Sequence, residues 1–311
     1  TVLPTALGQT LAQVLVALAK TKGAEVPAAL AGVQSDATAQ QIAQSLAGGE
    51  RVAVLLGNTA VNAPDATEIA ALAQSIAQLS GGKLGFLTAG ANTVGAYLAG
   101  AVPGQGGKSA AAMVAEPLKA YIVLHAEPLL DMDNGAQAVA ALKSAEFVVA
   151  LTAFASDASE WADVMLPIAP FTETSGTFVN AQGTAQSFKG TVAPRGQTRP
   201  GWKVLRVLGN VLHLAGFDDE TSESVRDAVL SGGVSNRLSN QINAAVAAVN
   251  AGHSVAGTLQ RVTDVPIYRS DALVRRAPAL QESGASRAPA ARMHAQTLSS
   301  LGCTAGASVR V

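Results

Sequence analysis

The chain has 311 residues, enough for a large core and for more than one domain. Its 21 Lys plus Arg offset 22 Asp plus Glu, so no global field draws it to nucleic acid or to an anionic membrane surface. Apolar residues make up 49% and aromatics only 4%, so alanine carries much of the apolar content and the composition points to a helix-rich α/β protein.

Leu7, Leu11, Val14, Leu15 and Leu18 recur at helical spacing, and Ser35 or Asp36 suits the N-cap of a second helix ending near Gly48 and Gly49. The apolar stretch from Leu11 to Ala19 is too short to span a bilayer and stops at Lys20. It lacks a basic n-region and a cleavage site, which argues against a secretory signal. Residues 1–49 are expected to be a helical segment, the stump of an upstream region. A start at Thr1 rather than Met fits a fragment or a processed product.

From Glu50 the pattern becomes regular. Strands are expected at Arg51 to Leu56, Leu84 to Leu87, Tyr121 to Leu124 and Phe147 to Leu151, and a further apolar run from Ala162 is stopped by Pro167. Asp65 and Glu68 suit a capping box for a helix whose inner face is Ile69, Leu72, Ala73, Ile76 and Leu79. Further helices are expected near Thr93 to Ala99, Ser109 to Glu116 and Ala136 to Leu142. Parallel strands need crossovers, so this alternation predicts an α/β domain with a doubly wound, mainly parallel sheet over residues 50–170.

Residues 171–268 are expected to be an irregular excursion and helices packed on that domain. Trp202, Leu205, Leu208, Val211, Leu212 and Ala215 line one face of a helix ended by Gly216. Two more helices are placed near Ser222 to Leu230 and Gln241 to Val249. Residues 269–290, with scattered Arg, Ala, Pro and Ser, read as a linker. Residues 291–311 hold about one strand–helix–strand repeat.

Several motifs admit two readings. Gly104 to Ser109 tempts a phosphate-loop assignment, but the signature needs a glycine where Val102 stands, so a surface loop is the simpler reading. Gly57-Asn58-Thr59 follows a strand and faces a helix start, where backbone N–H groups suit a phosphate, yet no G-x-G-x-x-G accompanies it and a structural turn fits as well. His125 is either a general acid or ligand, or a buried, hydrogen-bonded side chain. Glu173 and Asp157 are either paired catalytic carboxylates or loop caps. Histidines 125, 213, 253 and 294 show no metal-ligand spacing, and no metal site is assigned. The single cysteine, Cys303, excludes an internal disulfide and any iron–sulfur cluster ligated by this chain's cysteines alone. Between Glu173 and Asp218 there is no acidic residue, while Lys189, Arg195, Arg199, Lys203 and Arg206 all fall inside. That stretch is either a solvated basic face or a dock for an acidic surface of a neighbouring subunit.

A longer pattern runs through the polar loops after the fourth strand: Ala162-Asp163, Leu166-Pro167, Glu173, Gly176-Thr177, Asn180, Gly183 and Gln186. In this order it resembles the molybdopterin-dependent oxidoreductase superfamily, over roughly residues 50–311. Ser187-Phe188-Lys189 and Pro200 to Leu205 look most like one branch, the large iron–sulfur subunit of bacterial respiratory NADH–quinone oxidoreductase (complex I).

The resemblance implies a structural, cofactor-free domain that supports the electron-input arm, with no catalytic residue of its own and with iron–sulfur clusters in an N-terminal part. It also implies partners among the other subunits of that complex, no nucleic acid, no membrane span, and a peripheral place on the cytoplasmic side of the bacterial inner membrane. It makes residues 291–311 the start of a truncated dinucleotide-binding barrel. In cofactor-binding relatives the turn matching His125 to Pro128 reads Asn-Pro and touches the pterin; here Glu127 puts a carboxylate there, which repels an anion. Ser156-Asp157-Ala158 stands where relatives that hold the cofactor commonly show Thr-Glu-Thr, and Asn180 to Thr184 has Gln182 and Thr184 in place of their Glu and Arg. Asn58, Glu127, Thr172, Asn180 and Gln186 are the candidates for a vestigial pocket. The alternative is half of a genuine molybdenum or tungsten enzyme of formate-dehydrogenase type, in which those five residues line a working pocket. A third reading, of a different class, is a free-standing α/β binding protein.

Overall fold

The computed structural model describes residues 2–249, 259, 262, 266–286 and 290–309. His253 lies outside them.

The first half of the chain is built around two alanine-rich helices. Helix α1 (Leu7–Lys22) ends at Gly23, whose φ of 67° lets its N–H return to the carbonyls of Ala19 and Lys20. Helix α2 (Ala37–Gly48) is capped by Asp36, which accepts the Ala39 N–H at 2.7 Å, while Ser35 donates to the Gln13 carbonyl of α1 instead. Strand β1 (Ala53–Leu56) leads through one-turn α3 (Asn58–Val61) into α4 (Ala66–Ser80), and β2 (Lys83–Phe86) pairs with β1 in parallel, Val54 opposite Leu84. The expected inner face of α4 is where it was placed: Ile69, Leu72, Ala73 and Ile76 are buried. Asp65 sits at its N-cap without the expected side-chain bond. The carboxylate lies toward α1, so close that a Cβ added at Gly8 would stand 2.9 Å from its Oδ2.

Leu15 and Leu18 of α1 meet Leu72 and Ile76 of α4, with Ala12, Ala39 and Ala43 between the helices. Small side chains there let the backbones approach. The helix expected at Gln241 to Val249 is absent, and residues 239–249 carry no regular secondary structure. Gln74 of α4 supplies what helical bonds would have given: its amide donates to the Ile242 carbonyl at 3.0 Å and accepts the Ile242 N–H at 2.6 Å. Val246 and Val249 pack against the α1 cluster, so apolar spacing that suits a helix here serves a strap.

The chain then runs through α5 (Thr93–Leu98), α6 (Ala110–Ala115), β3 (Ala120–Leu124), α7 (Pro128–Asp131), α8 (Gly135–Lys143), β4 (Phe147–Thr152), α9 (Ala155–Ala158) and β5 (Val164–Pro167). Strands β3, β4 and β5 are parallel, with Ile122, Val149 and Val164 in one row. The motif residue Asp163 ties β5 to β4: its Oδ2 accepts the Val148 N–H at 2.7 Å and its own N–H donates to the Val148 carbonyl. The α/β class with parallel strands and flanking helices is as expected, but among the described residues the strands form two ladders, β1–β2 and β3–β4–β5, rather than one continuous sheet. Val148, Ala150, Leu142 and Trp161 make the core under one face of the second ladder.

Beyond β5 the excursion is more regular than its composition indicates. Strands β6 (Gly176–Val179) and β7 (Ala185–Phe188) form an antiparallel hairpin, with Phe178 and Phe188 in an edge contact at 5.1 Å. Helix α10 (Gly201–Val211) stops before Gly216, at Leu212, because His213 takes φ 55°. Gly209 lies against the Phe217 ring, and an added Cβ there would be 2.3 Å from it. Helix α11 (Ser222–Val229) opens with a Thr221–Ser224 capping box. Within the stretch read as a linker are α12 (Ala272–Arg275), capped by Asp271, and α13 (Pro278–Gln281). Residues 290–309 hold α14 (Ala295–Ser300) and no strand, and residues 310 and 311 of the expected barrel start lie outside the described residues. No helix among the described residues is long and apolar enough to cross a membrane.

Candidate functional site

Open α/β sheets place ligands beyond the carboxyl ends of their strands, so the ends of β3 and β4 come first. The chain leaves β3 through His125, whose φ of 53° is left-handed and whose N–H still reaches the Leu151 carbonyl of β4 at 2.9 Å. That turn throws Glu127 inward, leaving it 5% exposed, and Pro128 starts α7. Asp131, one turn on, accepts the Glu127 N–H at 2.7 Å. At the end of β4, the Thr152 hydroxyl closes a turn by accepting the Phe154 N–H and donating to the Phe154 carbonyl, which fixes the Phe154 backbone.

Two arginines of α12 and its C-cap close this end. Arg275 reaches Glu127 Oε2 through Nη2 at 2.7 Å and Asp131 Oδ1 through Nη1 at 2.8 Å. Arg276 donates to both Glu127 oxygens and lies over the Phe154 ring at 4.2 Å. The hydrogen bond from Arg276 is the largest effect on Glu127; with Arg275 it holds the carboxyl below the ordinary glutamate range against the opposing push of burial. Burial acts to lower the Arg275 pKa, but its bonds to Glu127 and Asp131 outweigh that and raise it. Partial desolvation of the His125 ring lowers its pKa.

The other sequence candidates lie elsewhere. Asn58 opens α3 after β1 and is exposed. Thr172 sits in a 3-10 turn, its carbonyl accepting from Thr191 N–H at 2.8 Å. Asn180 shapes the β6–β7 turn, its Oδ1 accepting from the Gln182 and Thr184 backbones at 3.0 Å each. Gln186, on β7, is exposed opposite Phe178. Glu173 caps a loop by accepting the Arg195 N–H at 2.9 Å, and Asp157 Oδ2 is buried on α9 without a hydrogen-bond partner.

Two clefts lie on the far side of β5, and none of the five vestigial-pocket candidates lines either. One, of about 510 Å3, runs between Glu173, Ser175, Trp202 and Glu223. The other, of about 630 Å3, lies between Leu166 of β5 and the Val204–Val211 side of α10. The acid-free stretch in the sequence is not acid-free in space, since Glu220 and Glu223 fold back beside Arg199 and Lys203.

The sequence reading missed Arg275 and Arg276 because scattered Arg, Ala and Pro suggest a tether. The signal that was present is Asp271, an N-cap residue followed by Ala-Leu-Val-Arg-Arg.

A molybdopterin oxidoreductase family model matches residues 16–211, from within α1 to the end of α10. The chain belongs to the molybdopterin oxidoreductase family. The matched region starts earlier than the motifs placed it and stops well before residue 311. Relatives of the family chain include a "Putative formate dehydrogenase" of Staphylococcus aureus strain bovine RF122 / ET3-1 and another of strain USA300, each 34% identical over 79 residues. That stretch is 25% of this chain and 8% of each relative, so only a small part of the relatives' length is represented.

Proposed function

We propose that this chain is a structural, cofactor-free domain of the iron–sulfur subunit of NADH–quinone oxidoreductase, supporting assembly of the arm that takes in electrons. The family match supports an oxidoreductase setting. The branch rests on the run from Ser187 to Lys189 and from Pro200 to Leu205. The observation that carries the cofactor-free reading is the closure of the β3–β4 end by Glu127, Arg275, Arg276 and Phe154.

The residues at that edge do not suit an anionic pterin cofactor. A pyrophosphate needs free donors and positive charge, yet both guanidiniums there are paired with Glu127, and Arg275 with Asp131 as well. Admitting an anion would separate ion pairs that are largely out of water, which leaves a buried charge uncompensated. Iron–sulfur clusters then belong to a part of the subunit outside this sequence, on the cytoplasmic side of the inner membrane, and the neighbours are other subunits of that complex. Lys189, Arg195, Arg199, Lys203 and Arg206 are the proposed contacts to them.

The second reading, half of a formate-dehydrogenase-type molybdenum or tungsten enzyme, fits the names of the relatives, whose matches over 79 residues are too short to favour it. Metal and pterin analysis of the purified intact protein separates the two. The expected result is no molybdenum, tungsten or pterin at stoichiometric level; one equivalent of any of them overturns the cofactor-free reading.

A further inference from the structure

Parallel sheets are ordinarily covered on both faces. In the β3–β4–β5 ladder, α8 and Trp161 cover one face, while Phe147, Ile122 and Val164 on the other face stay exposed, Ile122 by 54%. This open face runs toward α10, since a Cβ added at Gly201 would lie 3.5 Å from Leu124 Cδ1.

Helix α10 carries an apolar stripe that begins beside the face Gly201 turns to Leu124 and Ile168 and runs away from Gly209. Val204, Val207, Leu208 and Val211 follow the i, i+3, i+4, i+7 rule, and Val207 and Val211 are 54% and 67% exposed. With Leu166 of β5 they wall the cleft of about 630 Å3. Along one edge of the stripe, one turn apart, stand Lys203 and Arg206, with Arg199 just ahead of the helix; Glu220 is the cleft's one acidic neighbour. Arg206 Nε is buried there without a hydrogen-bond acceptor. A buried charged donor without an acceptor is costly, so the cleft is incomplete as it stands.

We infer that the groove between β5 and α10 receives an amphipathic helix of a partner protein, with its apolar face on Val204, Val207 and Val211 and carboxylates along the edge facing Lys203 and Arg206. A helix is the fitting occupant because helices cover parallel sheets and because the stripe has helical spacing over two turns. Acidic flanks follow from this cleft's lining, where Arg199, Lys203 and Arg206 outnumber Glu220. Glu173 and Glu223 share Arg199 and Lys203 from the adjoining cleft, which Arg206 does not line, so Arg206 carries most of the selection of the partner's sign. The inference deepens the partner part of the proposed function and does not depend on whether a cofactor is bound.

The test uses the full 311-residue chain and two fluorescent synthetic helices of about 18 residues, a length that holds helical structure in water. Both carry leucines on one face; one has glutamates along the flank and the other lysines. Fluorescence anisotropy should show the acidic helix binding at least about tenfold more tightly, with a preference that shrinks from low to high salt. Val207→Asp should abolish binding, and Lys203→Glu with Arg206→Glu should reverse the preference. Circular dichroism checks that the variants fold, and Val211→Asp serves if Val207→Asp does not. Absence of binding, equal binding of the two peptides, or indifference to these substitutions overturns the inference. So does self-association in ultracentrifugation that Val207→Asp removes, because the occupant is then a second copy. Metal content is read separately, so the cofactor-free reading and the groove can fail independently.

Discussion

The two parallel ladders of this chain are secured by different physics. Around β1–β2, α1, α2 and α4 lock through Leu15, Leu18, Leu72 and Ile76 with alanines between them; among the described residues no ion pair takes part, and Lys22 only donates to the Ala47 carbonyl at the rim. Around β3–β4–β5 the apolar core covers one face, and the strand ends are closed by Glu127, Asp131, Arg275 and Arg276. Close packing of apolar groups responds weakly to pH and salt, whereas an ion-pair latch responds to both. The first region is therefore expected to behave as scaffold and the second as the part that adapts to partners.

The sharpest break in that contrast comes from the scaffold. Leu72→Ala removes a side chain that bridges α1 and α4, and should cost about 3 kcal/mol in urea unfolding, with little dependence on salt. A comparable loss that varied with ionic strength would erase the distinction between the regions.

Glu127→Gln should cost about 2 kcal/mol, since two guanidiniums lose their carboxylate partner while some hydrogen bonding survives. Hydrogen exchange should show protection lost first in residues 266–286, with α1 and α4 unchanged. The pH dependence has a definite sign. The folded Glu127 carboxyl titrates below the ordinary value of about 4.5, so the unfolded chain binds the proton more readily. The latch is at full strength above that value and weakens as pH falls through the lower, folded pKa. Acid should thus release residues 266–286 in the native chain, and Glu127→Gln should flatten that response. His125 adds a smaller effect of the same sign, because its folded pKa is also depressed and protonation below the ordinary value of about 6.5 favours the unfolded chain.

Smaller effects sharpen the picture inside the scaffold. Gln74→Ala removes both bonds to Ile242 and should cost about 1–2 kcal/mol, with faster exchange of the Ile242 amide. Asp36→Ala removes the cap of α2 and should cost about 1 kcal/mol by thermal unfolding.

How far the sequence could be read follows the range of the interactions. The inner face of α4, the Asp36 cap and the five parallel strands are written in spacing and capping chemistry within a few neighbouring residues. The β6–β7 hairpin had a local signal in Asn180 and Gly183 at its turn, but Gly, Thr and Gln around it masked the alternation. The strap at 239–249 had none, since Ile242, Val246 and Val249 fit a helix equally well and only Gln74, far away in sequence, decided against it.

Sequence alone determined the family, the α/β class and the presence of a carboxylate in the turn after β3, because these depend on residue type and local order. Tertiary structure alone decided that this carboxylate would be met by Arg275 and Arg276 from nearly 150 residues away, and that one sheet face would stay open. Pairing over such distances is set by how the layers pack, and no periodicity in the chain encodes it.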